Sequence, residues 1–151
     1  MLTGRVSAAP LTTLAEGNIG TIAFQSLTLP ATQLLTLSTD GTPTVVSGEL
    51  KLPRDGTDRV PAVILVHGAA GVTENLTAWA DELHRLGIAS FILDSFSGRG
   101  IREIRTGRAS INIGSRLIDA YRALELLATH LRIDSTRIAL MGFSHGGRVV
   151  F

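Results

Sequence analysis

The 151-residue sequence lacks cysteine, an excess of charge of one sign and any long hydrophobic run. The absence of cysteine excludes disulfides, thiolate metal sites and a thiol nucleophile. A formal net charge of +1 gives no reason to expect nucleic acid as a partner. The longest apolar run, Val60 to Val66, contains Pro61 and is far shorter than the ~18 residues of a membrane span. We therefore expect no membrane span.

Aromatic residues and ligand-binding motifs are also scarce. Phe, Trp and Tyr make up only 5% of a chain that is 44% hydrophobic, which predicts an aliphatic interior. No phosphate-binding Gly-x-x-x-x-Gly-Lys is present, Glu103 stands where a dinucleotide motif needs its third glycine, and the histidines lack metal-ligand spacing. The sequence thus predicts no metal and no cofactor. Thr12 and Thr13 interrupt the apolar residues at the start of the chain, so this segment is a poor signal peptide. The sequence does not indicate a cellular compartment.

The first third of the chain has a strand-like pattern. Residues 1–20 show no periodicity and are interpreted as a flexible lead-in. Residues 21–29 alternate in polarity, which is typical of a strand. Residues 33–37 and 45–52 flank the turn-forming pair Asp40-Gly41, so we predict that these two segments form a β-hairpin.

From residue 60 onward, buried strands alternate with amphipathic helices. Continuous apolar runs predict strands at residues 62–66, 88–93 and 137–141. Helical spacing predicts helices over residues 75–86, along a face formed by Leu117, Tyr121, Leu124, Leu127 and Leu131, and from residue 147 onward. Such alternation indicates parallel strands joined by crossover helices. The predicted fold is an α/β open sheet with a leading antiparallel hairpin, a partial domain over residues 21–151.

The segment Gly142-Phe143-Ser144-His145-Gly146 follows a predicted strand and precedes a helix start. Gly-x-Ser-x-Gly in that context is typical of a nucleophile elbow, with Ser144 as the nucleophile. We expect the backbone N–H of His145 to be one donor to the oxyanion of a tetrahedral intermediate. Side chains that would collide with strand and helix are absent at Gly142, Gly146 and Gly147. The alternative is a glycine-rich turn with an inert serine.

A second glycine-rich segment, residues 67–71, follows the first predicted parallel strand. In α/β-hydrolases the loop after this strand supplies the second N–H donor to the oxyanion. The N–H of Ala69 is the first candidate for that donor, with Ala70 in reserve. The residues expected to shape and brace this loop are His67, Gly68 and Gly71. His84 and His130 fall in helical patterns and are interpreted as surface residues.

Polar residues after the second parallel strand are candidates for substrate binding. Asp94 lies at the carboxyl end of that strand, where ligands bind in open sheets; more simply, it caps the turn at residues 95–100. Arginines recur at every third position, namely Arg99, Arg102, Arg105 and Arg108. This spacing allows an anion-recognising lid, although a solvated basic loop is the usual outcome.

With these motifs the chain resembles the dienelactone hydrolase family of α/β-hydrolases, from about residue 48 to residue 151. The resemblance rests on residues 63–68, 93–100 and 137–147. It implies hydrolysis of an ester, lactone or related acyl bond of a small molecule through an acyl-enzyme. The namesake enzymes use cysteine as nucleophile, whereas this chain has Ser144.

In that family the catalytic acid and histidine follow the elbow. The resemblance therefore implies the N-terminal portion of a serine hydrolase, inactive in isolation, with both residues beyond position 151. The alternative is a non-catalytic short α/β protein that acts as a binding or regulatory module. In either case the open edge of the sheet is a site where we expect self-association.

Overall fold

A computed structural model describes residues 9–30 and 40–151 of the chain. In these residues five strands and three α-helices follow one another in sequence. The strands are β1 (Gly20–Thr28), β2 (Thr42–Lys51), β3 (Val60–Val66), β4 (Ala89–Asp94) and β5 (Ile133–Gly142). The helices are α1 (Glu74–Arg85), α2 (Ile113–Leu127) and the short α3 (Gly147–Val150). Within the same ranges no helix is long and apolar enough to cross a membrane.

The strands form one mixed sheet in the order β1-β2-β4-β3-β5. β1 pairs antiparallel with β2 and β2 antiparallel with β4, whereas β3 pairs parallel with both β4 and β5. The predicted α/β open sheet is thereby confirmed. Because β3 lies between two parallel neighbours, the carboxyl ends of β3, β4 and β5 meet at one edge of the sheet.

The antiparallel part of the sheet begins with β1 and β2. β2 pairs with β1, in a register that places Phe24 opposite Val46, and its other edge pairs with β4. The other strand of the predicted hairpin, residues 33–37, lies within residues 31–39, outside the described residues.

Residues 9–19 belong to the folded domain, which corrects the prediction of a flexible lead-in for this part of residues 1–20. The N–H of Leu11 donates to the carbonyl of Ala23 at 2.7 Å. The N–H of Leu14 donates to Thr129 Oγ1 at 2.8 Å, and the Leu14 side chain is fully buried. The two leucines anchor this irregular segment because their apolar side chains are covered by the domain. Residues 1–8 lie outside the described range.

The two long helices cover opposite faces of the sheet, because successive residues of a strand point to opposite sides. Leu65 and Ile92 share a cluster with the buried side chains of α1, which are Leu76, Ala80 and Leu83. The other face, which includes Ile64 and Phe91, shares the larger cluster with Ala120, Ala123 and Leu127 of α2.

The buried face of α2 differs from the predicted one. Its buried residues are Gly114, Ser115, Arg116, Asp119, Ala120, Ala123, Leu126 and Leu127. Of the predicted face, Leu117 and Leu124 are only partly buried, and Tyr121 is 60% exposed. Leu131 lies beyond the helix, which ends at Leu127. Small and charged residues face the sheet here, and a count of apolar residues does not detect such a face.

We predict that replacing Gly48 by alanine destabilises the fold. A Cβ at Gly48 of β2 would overlap the ring of Phe91 on β4, and overpacking of this kind costs about 1–3 kcal/mol. The free energy of unfolding, measured in denaturant for Gly48→Ala and wild type, tests this. Glu49→Ala, at the neighbouring exposed position, is the control and should change stability little. Equal stability of wild type and Gly48→Ala would show that Phe91 does not occupy this position.

Candidate active site

Ser144 lies on the sharp turn between β5 and α3. Its φ of 51° makes it the one non-glycine residue with positive φ in the described part of the chain. Left-handed backbone at a non-glycine residue is strained and tends to occur at functional sites. The residue is exposed, and a single 3-10 turn, Ser144–Gly146, links it to α3. The strained turn thus presents a hydroxyl at the carboxyl edge of the sheet.

Close backbone contacts explain the glycines on either side of the serine. A Cβ at Gly142 would overlap the carbonyl of Gly146, and a Cβ at Gly146 would overlap the carbonyls of Val66 and His67. The turn can fold against the end of β3 only because both side chains are absent. Gly147 is different, since a Cβ there would lie 3.8 Å from the Gly142 carbonyl, an ordinary contact. The expectation that Gly147 is needed for clearance is therefore wrong.

The loop at residues 67–71 lies directly against this turn. The N–H of Phe143 donates to the carbonyl of Val66 at 3.0 Å, and a Cβ at Gly68 would sit 3.2 Å from the Phe143 carbonyl. The carbonyl of Ala69 accepts from the N–H of Ile104 at 2.9 Å. The N–H of Ala69 donates to no acceptor in residues 9–30 and 40–151. The two candidate oxyanion segments therefore adjoin.

Gly71 closes the same loop with its backbone in the left-handed region. Its φ is 82°, and a Cβ there would lie 2.8 Å from the carbonyl of Arg102. Glycine is therefore required at this position both for conformation and for space.

His67 is fully buried behind the loop, and both of its ring nitrogens are engaged. Nε2 accepts from the N–H of Ser95 at 3.3 Å, which leaves the proton on Nδ1 to donate to the Gly68 carbonyl at 2.7 Å. The ring also meets Phe96 edge-on, with centroids 4.3 Å apart. Burial lowers the pKa of His67 to about 4. A neutral, fully bonded imidazole in this position braces the loop and has no free nitrogen to act as a base.

Arg116 is a buried residue of the site that the sequence pattern did not indicate. Its side chain extends from α2 and is fully buried. One terminal nitrogen donates to Nδ1 of His145 at 2.7 Å, and the other donates to the carbonyl of His67 at 2.5 Å. The guanidinium lies 5.2 Å from the ring centroid of Phe96. Burial lowers the pKa of Arg116 to about 10, so the group is charged at neutral pH.

The other three histidines also lack the partner that a catalytic base requires. Nδ1 of His145 accepts from Arg116, and burial together with Arg116 and Arg148 lowers the pKa of His145. His84 meets the Ser90 hydroxyl at 2.9 Å. His130, predicted at the surface, is 2% exposed and accepts from the N–H of Arg132 because it lies in the buried connection after α2. No histidine of the chain hydrogen-bonds a carboxylate in the described residues.

Arg99 is buried in an ion pair, which corrects the prediction of a solvated residue. Its guanidinium donates at 2.7 Å and 2.9 Å to the two carboxylate oxygens of the buried Asp119 on α2. Its remaining donors bind the Thr28 hydroxyl and the carbonyls of Leu27 and Ser95. All five N–H groups are therefore used within the fold, and none is left to bind a substrate anion.

Asp94 caps a turn and the three remaining arginines are exposed, which are the simpler of the two interpretations of each in the sequence. One carboxylate oxygen of Asp94 accepts from the N–H groups of Phe96 and Ser97 at 2.9 Å and 3.0 Å, which caps the following turn. Arg102, Arg105 and Arg108 are exposed around an open cavity of about 450 Å³ beside Ala70.

Comparison with known proteins identifies the fold. No family model and no curated protein matches the sequence. A dienelactone hydrolase-like promiscuous phosphotriesterase, P91, from metagenomic libraries is 18% identical, with a TM-score of 0.59 over 87% of this chain and 52% of its own. Est1E from Butyrivibrio proteoclasticus is 19% identical, with a TM-score of 0.58 over 75% and 41% of the two chains. Esterase Est22 is 21% identical, with a TM-score of 0.55 over 91% and 38%.

The chain thus spans between 38% and 52% of these structures. At identities this low the likeness shows the fold alone. That fold is the α/β-hydrolase fold, shared with a dienelactone hydrolase-like protein and an esterase.

We predict that Asp119→Asn destabilises the protein by about 3–5 kcal/mol, because it leaves the buried Arg99 without a countercharge. Asp119 also accepts from the Ser26 hydroxyl at 2.5 Å, so the lost carboxylate affects β1 as well. The matched control is Glu125→Gln on the same helix. Glu125 pairs with Arg122 at 3.3 Å but is 67% exposed, and such a pair is worth at most ~1 kcal/mol. Similar unfolding free energies for the two variants would contradict the role of the buried pair.

We predict that His67 makes stability depend on pH. The pKa of His67 is about 4 in the fold, below the ordinary value of 6.5. Between these pH values the unfolded chain binds more protons than the folded chain does. The contribution of His67 to the free energy of unfolding is therefore complete above pH 6.5 and is lost as the pH falls towards 4. Its size is about 3 kcal/mol, from 1.36 kcal/mol per pKa unit. Unfolding free energies of wild type and His67→Gln from pH 7 to pH 4 check this, and equal slopes would refute it.

Proposed function

We propose that the protein is a serine hydrolase that cleaves an ester, lactone or related acyl bond of a small molecule. The observation that carries this proposal is the strained, exposed Ser144 at the end of β5, with φ of 51°. The fold of the matched structures supports it, since one of them is an esterase by name and another is dienelactone hydrolase-like.

In this mechanism the hydroxyl of Ser144 attacks the acyl carbon and forms a tetrahedral intermediate. The negative charge develops on the former carbonyl oxygen, and backbone N–H groups stabilise it. We assign this role to the N–H groups of His145 and Ala69. Collapse of the intermediate expels the leaving group and gives an acyl-enzyme on Ser144, which water then hydrolyses.

The general base of this reaction is assigned to residues beyond position 151 of a longer gene product. Two observations support that assignment. None of the four histidines hydrogen-bonds a carboxylate in the described residues, although a catalytic histidine is normally oriented by one. The chain also covers only 52% and 41% of two of the matched structures. The 151-residue chain alone would then be inactive or nearly so.

A second candidate function, a binding or regulatory module, rests on the exposed edge of the sheet. β5 lies at an edge of the described sheet. Ile138, Leu140 and Met141 on this strand are only partly buried. Strand addition at such an edge is a common mode of association, and a second copy of the chain would fit it. Sedimentation of the isolated chain at several concentrations tests for this self-association.

We predict that an activated alkyl phosphonate forms a covalent adduct with Ser144. The complete gene product is used, and the intact mass of the natural protein defines its length. Peptide mass analysis should locate the adduct on Ser144, Ser144→Ala should abolish it, and the exposed control Ser110→Ala should leave it unchanged. The isolated 151-residue chain should react ~10²–10⁴-fold more slowly, since it lacks a general base.

Lack of an adduct on Ser144 in the complete protein would overturn the hydrolase proposal and favour the binding module. Rapid labelling of the isolated chain would instead show that the base lies within residues 1–151.

A further inference from the structure

The two candidate oxyanion segments begin directly after the end of the β3–β5 pair. The β3–β5 ladder runs as far as Val66 opposite Gly142, and the last bond joins the N–H of Phe143 to the Val66 carbonyl. Beyond this point residues 67–71 and the turn Ser144–Gly146 leave the sheet as separate loops. The two loops touch, because Gly68 lies against the Phe143 carbonyl and Gly146 against the His67 carbonyl, but no backbone hydrogen bond joins them in the described residues. A hydrogen-bonded connection between them therefore depends on side chains.

Arg116 provides that connection from a third element, α2. One terminal nitrogen binds Nδ1 of His145 at 2.7 Å, on the segment that carries the nucleophile. The other binds the carbonyl of His67 at 2.5 Å, two residues before Ala69. A guanidinium is a planar fork whose two ends have a fixed separation, whereas a lysine ammonium is a single point on a flexible stem. Arginine is thus suited to hold two acceptors at a set distance.

The surroundings of Arg116 argue against a purely stabilising role. The side chain is fully buried, and its hydrogen-bond acceptors are a carbonyl and an imidazole, both neutral. The neighbouring carboxylate of Asp119 is bound by Arg99, and Nε of Arg116 has no partner in the described residues. Burying a charge without a paired counterion is costly.

We propose that Arg116 is a positioning residue that fixes the distance between the two oxyanion donors, the N–H groups of Ala69 and His145. This inference rests on the proposed hydrolase function. Both donors must point at one oxygen when the tetrahedral intermediate forms. Arg116 holds the side chain of one donor residue and the backbone close to the other. It touches no reacting atom, so its effect is exerted through these two segments.

The test uses the phosphonate reaction, whose product has the tetrahedral geometry of the intermediate. In the complete gene product, Arg116→Lys should lower the maximal labelling rate kinact about 10–100-fold, as expected for displaced oxyanion donors. The half-saturating concentration KI should stay within about 3-fold, because the fork acts on the transition state and leaves ground-state binding unchanged. The matched control is Arg122→Lys on the same helix, where the arginine is 53% exposed; both constants should stay at wild-type values.

A second variant keeps the test valid if Arg116→Lys fails to fold. His145→Ala retains the backbone donor but removes the acceptor of the fork, and it should also lower kinact with KI retained. If both variants fold, the double variant should be no slower than Arg116→Lys alone, because both break the same connection. A purely structural role would not produce this combination of constants.

A spectroscopic measurement on the 151-residue chain is independent of activity. Because Nδ1 of His145 accepts from Arg116, its proton should lie on Nε2, and ¹⁵N NMR of the ring reports that tautomer. The preference should weaken in Arg116→Lys and persist in Arg122→Lys.

The outcomes separate the two proposals. An unlabelled Ser144 in the wild-type complete protein refutes the hydrolase function. A labelled wild type with wild-type kinact in folded Arg116→Lys, or in His145→Ala, refutes the positioning role and leaves the hydrolase function standing. An equal fall in kinact for the Arg122→Lys control also refutes the positioning role.

Discussion

The candidate site depends on the contact between two backbones at the end of β3. The turn that carries Ser144 can approach the carbonyls of Val66 and His67 only where Gly146 has no side chain. This contact places the serine over the carboxyl edge of the sheet, where its backbone has the strained φ of 51°. The strain persists because the surrounding strands and loop over-determine the turn. Every chemical role assigned to Ser144 follows from this approach.

Helix α2 links the site to the rest of the sheet through buried charge. Asp119 neutralises Arg99, which in turn binds the end of β1 and the turn after β4. One turn earlier on the same helix, Arg116 reaches the two loops beside Ser144. The helix therefore does more than cover apolar surface, because its polar contacts fix three separate loops relative to the sheet. Its unusual buried face, with small residues beside charged ones, reflects this function.

Local patterns predicted the parallel strands, the crossover helices and the serine turn, because strand periodicity and Gly-x-Ser-x-Gly are encoded in neighbouring residues. Contacts between residues that are distant in the sequence were harder to predict. The partner of β2 depends on which edges β1 and β4 occupy, and the burial of Arg99 depends on Asp119, twenty positions later. Arg116 was missed for the same reason. An arginine within a helical pattern is normally exposed, and only the packed fold shows its neutral partners.

The glycines around Ser144 also affect which substitutions the site can accept over evolution. Any single-base change that replaces a glycine adds a Cβ, and at Gly142 or Gly146 that atom would overlap a backbone carbonyl. The serine between them is exposed, so its side chain faces no such restriction. The side chain at position 144 can therefore change more easily than either flanking glycine can, so the chemical group that the turn presents can change while its backbone geometry stays fixed.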